Sequence, residues 1–244
     1  MTSPADAGGC APAIGVICLD TSFTKIPGHI RNPATFRFPV VCQVVAGATP
    51  ARVVSHPDPA LLQPFIDAAV RLEAAGVSAI TSACGFLALF QRELAAAVTV
   101  PVYASSLLQV PMVQRMLPAG RSVGVLTADA SSLSPAHFAG VGAGPAGVRI
   151  AGMAEQPEFR EVILEGKRDD LDPRRLGREV LGVADGLLRD HPEVGALVLE
   201  CTDLVPFAHD IQARTGVLVF DIVTLTGLVH ASLHRQPFPA AVRA

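Results

Sequence analysis

The segment Val77 to Ser105, VSAITSACGFLALFQRELAAAVTVPVYAS, aligns without a gap on Val194 to Ile222, VGALVLECTDLVPFAHDIQARTGVLVFDI. Val77, Ala79, Cys84, Leu87, Phe90, Ala96, Val100 and Val102 recur as Val194, Ala196, Cys201, Leu204, Phe207, Ala213, Val217 and Val219, and hydrophobic character is kept at Ile80/Leu197, Leu94/Ile211 and Tyr103/Phe220. A second echo lies upstream, where Ala13 to Asp20 (AIGVICLD) matches Ser122 to Asp129 (SVGVLTAD). Internal repetition of this kind marks a duplicated unit. It predicts two pseudo-equivalent α/β lobes, each supplying one cysteine at the same point. Two thiols so placed can face each other across a shared cleft, as needed to take a proton from one side of a carbon and return it on the other.

Working outward, short apolar runs alternate with helical patterns. Strands are expected at Ile14 to Leu19, Val40 to Val45, Val77 to Thr81 and Val100 to Tyr103, then at Ser122 to Leu126, Val148 to Ile150, Ala196 to Leu199 and Val217 to Asp221. Helices are expected at Pro59 to Ala75, Phe86 to Ala97, Ser105 to Leu117, Pro173 to Asp190, Val205 to Arg214 and Leu225 to His234. Continuous apolar runs are the signature of strands buried on both faces. Their alternation with helices predicts an α/β fold of two pseudo-symmetric, doubly wound lobes with parallel sheets and the active site between them. The boundaries read as a disordered leader over 1–12, lobe 1 over 13–118, lobe 2 over 119–222, and a C-terminal helix and tail over 223–244 that packs back on lobe 1.

Composition narrows the function. The chain has 244 residues, of which 50% are hydrophobic and 17% charged, with a formal net charge of −3. Lys and Arg are scattered, so there is no basic face for nucleic acid, and no apolar run is long enough to span a membrane. Five cysteines without framework spacing read as free thiols in a reducing cytoplasm. GAGPAG at 142–147 is not preceded by a strong strand, and HASLH at 230–234 lacks the glutamate of a zinc protease helix, so neither is taken as a site.

In parallel α/β sheets the chemistry collects beyond the carboxyl ends of the strands. Cys84 and Cys201 each follow a strand and precede a helix, where backbone N–H groups and the helix dipole lower a thiol pKa. Cys10, Cys18 and Cys42 read instead as small hydrophobes. Hydroxyls of Thr21, Ser82, Thr127 and Thr202 stand at comparable strand ends, as do Asp20 and Asp129. The long loop after the first strand brings Arg31, whose planar fork matches a carboxylate, together with Asn32. Lys25 and His29 in the same loop read as solvated surface, and EGKRDDLDPRR at 165–175 as a solvated lid or surface segment.

TSACGF around Cys84 and LECTDL around Cys201 resemble the aspartate/glutamate racemase superfamily, which includes hydantoin racemases, maleate isomerases and arylmalonate decarboxylases. The resemblance extends from Ile14 to about Leu233. It implies cofactor-independent catalysis in which Cys84 and Cys201 act as thiolate base and thiol acid, with Gly85, Phe86, Thr202 and Asp203 as their neighbours in the site. It also implies a homodimer. Glutamate racemases carry Asn-Thr after the first cysteine and Thr-His after the second, where this chain has Gly-Phe and Thr-Asp, so amino-dicarboxylate specificity does not carry over.

The expected function is therefore a cofactor-independent racemase or epimerase acting at the α-carbon of a small carboxylate substrate, such as an amino acid or a hydantoin. Cys84 and Cys201 are the expected catalysts, and Asp20, Thr21, Arg31, Asn32, Ser82, Gly85, Phe86, Thr127, Thr202 and Asp203 the expected substrate-binding residues. No cofactor or metal is required, and neither nucleic acid nor membrane is an expected partner. The alternatives are a cis–trans isomerase with covalent cysteine catalysis, and a non-catalytic small-molecule binder on the same scaffold.

Overall fold

The computed structural model describes residues 12–233 and 235; the expected leader up to residue 11, with Cys10, and His234 and the expected tail from residue 236 lie outside them. Among the described residues, eight strands form two four-stranded sheets with the same order, β2-β1-β3-β4 and β6-β5-β7-β8. Lobe 1 holds β1 (Ile14–Cys18), β2 (Val40–Val44), β3 (Ala79–Ser82) and β4 (Val102–Tyr103). Lobe 2 repeats them as β5 (Ser122–Thr127), β6 (Val148–Gly152), β7 (Val194–Leu199) and β8 (Leu218–Phe220). Every strand pair is parallel. Strands β1, β3 and β5 are buried throughout, as expected for parallel strands covered on both faces.

The helices follow from local signals. Asp58 accepts from Ala60 N at 2.9 Å and opens a 3₁₀ turn that leads into α1 (Leu62–Ala74), which ends before Gly76 at φ +82°. Then come α2 (Gln91–Ala96), α3 (Val110–Met116), α4 (Pro135–Gly140), α5 (Pro173–Asp190), α6 (Ala208–Thr215) and α7 (Ile222–Leu233). The bounds of α5 match the sequence expectation because Asp172 accepts from Arg174 N and Arg175 N, and Pro173 fits the first turn. The glycine of the repeated GV pair is a packing device: a Cβ on Gly15 would press on Val77 and Leu72, and one on Gly124 would collide with Leu197. Both glycines let the flanking helix lie close to its sheet.

Several expectations need correction. The segments expected as helix from Phe86 and from Val205 begin as six-residue 3₁₀ turns, Gly85–Phe90 and Thr202–Phe207, and become α-helical only afterwards. Pro206 lacks the N–H that an α-helical turn would use. Two elements were not expected: α4, with Ser134 and His137 forming a reciprocal cap, and the π-helical turn Phe159–Leu164. A second π-helical turn, Ala51–Ser55, replaces the loop before α1. Cys42, read as a buried hydrophobe, is exposed on the edge strand β2. Helix α7 places Ile222 and Leu225 in a cluster with Ile14, Val16, Ile30 and Tyr103 of lobe 1.

Candidate active site

The segments that follow β3 and β7 meet across the lobe interface, which is bridged by hydrogen bonds. Ser106 Oγ donates to Leu199 O at 2.7 Å, and Thr202 Oγ1 donates to Ala83 O at 2.8 Å. Between these segments lies a cavity of about 470 Å³. Cys84 and Cys201 both line it, with Leu19, Thr21, Phe23, Lys25, His29 and Arg31 from the loop after β1. Val54, Ile163 and Leu164, carried by the two π-helical turns, close it with apolar side chains.

Cys84 is buried, and Ser82 Oγ fixes the backbone around it by accepting from Cys84 N at 3.2 Å. Cys201 is also buried, and its Sγ lies 3.8 Å from Asp203 Oδ2 with the thiol as donor. Asp203 in turn pairs with His29 Nε2 at 3.3 Å, and Arg31 Nη1 is anchored to Leu19 O and to Thr21 Oγ1 at 2.9 Å. Lys25 Nζ sits over the Phe23 ring, 2.8 Å from its centroid.

The thiols do not follow the expectation of a lowered pKa. Burial, then the carboxylate of Glu200, push Cys84 far up; for Cys201, burial comes first and Asp203 second. Backbone N–H groups of the 3₁₀ turns act in the expected direction, but one short turn does not offset desolvation. Burial and the neighbouring carboxylates thus both favour the protonated form of each thiol. Burial also lifts Glu200 to about 7 and lowers Lys25 to about 8. Asp203 stays below the usual carboxylate range despite its burial, because His29 bonds to it and Lys25 and Arg31 add positive charge.

Of the residues singled out from sequence, Cys84, Cys201, Thr21, Arg31, Gly85, Phe86 and Asp203 line the cavity. Ser82 and Thr202 stand behind it, shaping the cysteine turns. Thr127 donates to Glu200 Oε2 at 2.7 Å rather than reaching the cavity. Asp20 lines the adjoining hollow and accepts from Gly47 N, while Asn32 lines a separate hollow and holds its own loop through Lys25 O. Lys25 and His29 are corrected from solvated surface to cavity wall; His29 is 2% exposed. Glu200 was not singled out as a binding residue. Its position directly before Cys201, at a strand end where a buried chain would otherwise carry an apolar residue, was the available signal.

Comparisons with known proteins agree with this architecture. The family model for Asp/Glu/hydantoin racemases matches residues 39–226. A dimethylsulfoniopropionate lyase of Durusdinium sp. clade D is 32% identical over 218 residues, 86% of this chain and 71% of that protein. Dimethylsulfoniopropionate lyase 7 of Emiliania huxleyi is 34% identical over 93% of this chain and 68% of its own length. The chain spans only 61% of the length of the similarly matched lyase 3 from that organism. Among solved structures, the Picrophilus torridus aspartate racemase has a TM-score of 0.60 at 15% identity, covering 91% of this chain and 93% of that one. The glutamate racemase of Aquifex pyrophilus has a TM-score of 0.57 at 16% identity, covering 91% and 84%. These two likenesses speak to the fold.

Proposed function

The chain belongs to the Asp/Glu/hydantoin racemase family, and we propose that within it this protein is a lyase that removes the proton next to a carboxylate and expels a β-sulfonium group, as in dimethylsulfoniopropionate. The observation that carries the choice of reaction is the similarity to dimethylsulfoniopropionate lyases over 86% and 93% of the chain. The choice of catalyst rests on the two cysteines that line one cavity.

The substrate carboxylate binds at Arg31 and Lys25, the cations of the β1 loop. Charge that accumulates on it as the α-carbon loses its proton is stabilised by these donors and by N–H groups of the cysteine turns. Cys84 is the base. Cys201 gives its proton to a hydrogen bond with Asp203, which favours the neutral thiol. A substrate with a positive sulfur offsets the carboxylates that raise the Cys84 pKa and so favours the thiolate once bound. The thiolate takes the α-proton, the C–H electron pair becomes the new C=C bond, and the C–S bond breaks with its pair on sulfur. Dimethyl sulfide and acrylate leave, and the proton passes from the thiol to solvent.

A second reading, 1,1-proton transfer by a racemase or epimerase, is favoured by one observation. Elimination of a neutral sulfide needs one base and no acid, yet two buried thiols occupy matched positions. Incubation with dimethylsulfoniopropionate, followed by headspace gas chromatography and proton NMR, should give dimethyl sulfide and acrylate in equal amounts. No dimethyl sulfide, together with solvent deuterium entering the α-carbon of an amino acid, N-carbamoyl amino acid or hydantoin, would replace the lyase with the racemase.

A further inference from the structure

Two residues that line this cavity each carry a buried side-chain atom with no hydrogen-bond partner among the described residues: Lys25 Nζ and Glu200 Oε1. One is a donor on a cation and the other an acceptor on an acid. A buried polar group without a partner is costly, and a pair of opposite sign in one cavity describes the ligand that would satisfy both. The other carboxylate on the wall, Asp203, is already engaged by His29 and by the Cys201 thiol.

We propose that Glu200 is the cation subsite of the cavity: its Oε1 faces the onium end of a zwitterionic substrate whose carboxylate lies at Lys25 and Arg31. The inference rests on the lyase reading for the identity of that substrate, but its physical basis is the wall itself. Glu200 is 1% exposed and cannot swing away, because Thr127 Oγ1 donates to its other oxygen at 2.7 Å. On the opposite side the carboxyl lies against the backbone of Gly85, where a Cβ would collide with both Oε1 and the carbonyl oxygen of Glu200. Glycine after Cys84 is what lets the carboxyl reach the space beside the first thiol. Ala128, Ile163 and Leu164 supply apolar wall in the same cavity. A methylated onium group carries positive charge without N–H donors, so it asks for a nearby carboxylate and apolar surface, and both are present.

Charge at the subsite depends on pH. The titratable and charged groups that share the cavity wall with Glu200 are Cys84, Cys201, Asp203, Lys25, His29 and Arg31. With burial lifting Glu200 to about 7, its negative charge is lost as pH falls through that value, and onium binding should weaken with it.

Titration calorimetry with two inert ligands of the same shape tests this: the cationic 3-(trimethylammonio)propionate and the neutral-tailed 4,4-dimethylpentanoate. At about pH 8 the wild type should bind the onium ligand at least about tenfold more tightly. In Glu200→Gln that preference should fall to about unity, with affinity for the neutral-tailed ligand changed by less than about twofold. Should Glu200→Gln not fold, the wild type alone decides, since its preference should shrink between about pH 8 and about pH 6. Equal affinity for the two ligands in the wild type, or a preference that survives in Glu200→Gln, overturns the subsite. Dimethyl sulfide release is scored separately, so failure of the lyase reading and failure of the subsite give different results.

Discussion

Lobe 1 and lobe 2 share strand order, the glycine under the packed helix, a cysteine at the third strand's end and a six-residue 3₁₀ turn after it. Their loops after the first strand do different work. In lobe 1 that loop curls into the cleft and delivers Lys25, His29 and Arg31. In lobe 2 the corresponding segment folds α4 back onto the turn that follows Cys84, with Gly140 against Ala88 O and His137 edge-on to Phe86 at 4.9 Å. One lobe thus supplies the cations and the other the uncompensated carboxylate, Glu200. Duplication made the thiols equivalent in position, and divergence of one loop made their electrostatic surroundings unequal.

The largest expected effect breaks the symmetry of the thiols. With Cys84 as base, Cys84→Ser should lower kcat for dimethyl sulfide release by about a thousandfold, and Cys201→Ser by only about tenfold. Equal, severe losses in both would mean that the elimination needs both thiols and would remove Cys84 as the sole base. The residues after the cysteines form the next contrast. Gly85→Ala drives a methyl into Glu200, so it should destabilise the fold by about 1–3 kcal/mol in thermal or urea denaturation and cut activity by at least about tenfold. Thr202→Ser keeps the hydroxyl that donates to Ala83 O and should cost under about 1 kcal/mol. The smallest effect is the pH response. Glu200, raised by burial to about 7, gains its charge as pH rises through that value; Lys25, lowered by burial to about 8, then loses its own. Affinity for the inert 3-(trimethylammonio)propionate, whose binding needs no thiolate, should follow a narrow bell between those limits, and Glu200→Gln should erase the acidic limb. A profile flat from about pH 6 to about pH 9 would remove both groups from substrate binding.

Much of the scaffold was legible because its signals are local. The cap Asp172 with Pro173 fixed the start of α5, and apolar runs located all eight strands to within a few residues. The 3₁₀ character of the cysteine turns was not legible, since their apolar spacing also suits an α-helix. The loop after β1 was misread at Lys25 and His29 because a polar residue among Pro, Gly and Asn carries no periodicity that signals burial. His29 is buried through contacts with Thr202, 173 residues further along the chain, and with Asp203.

The sequence by itself determined the duplication, the parallel α/β lobes and the pairing of Cys84 with Cys201, because repeats, apolar periods and strand-end positions are properties of nearby residues. Only the tertiary structure decided the electrostatics of the cleft. Whether Glu200 keeps one oxygen without a hydrogen-bond partner, whether Lys25 faces solvent or cavity, and whether a thiol is raised or lowered all depend on desolvation and on charges brought together by the fold. Those terms come into being when the two halves close on each other.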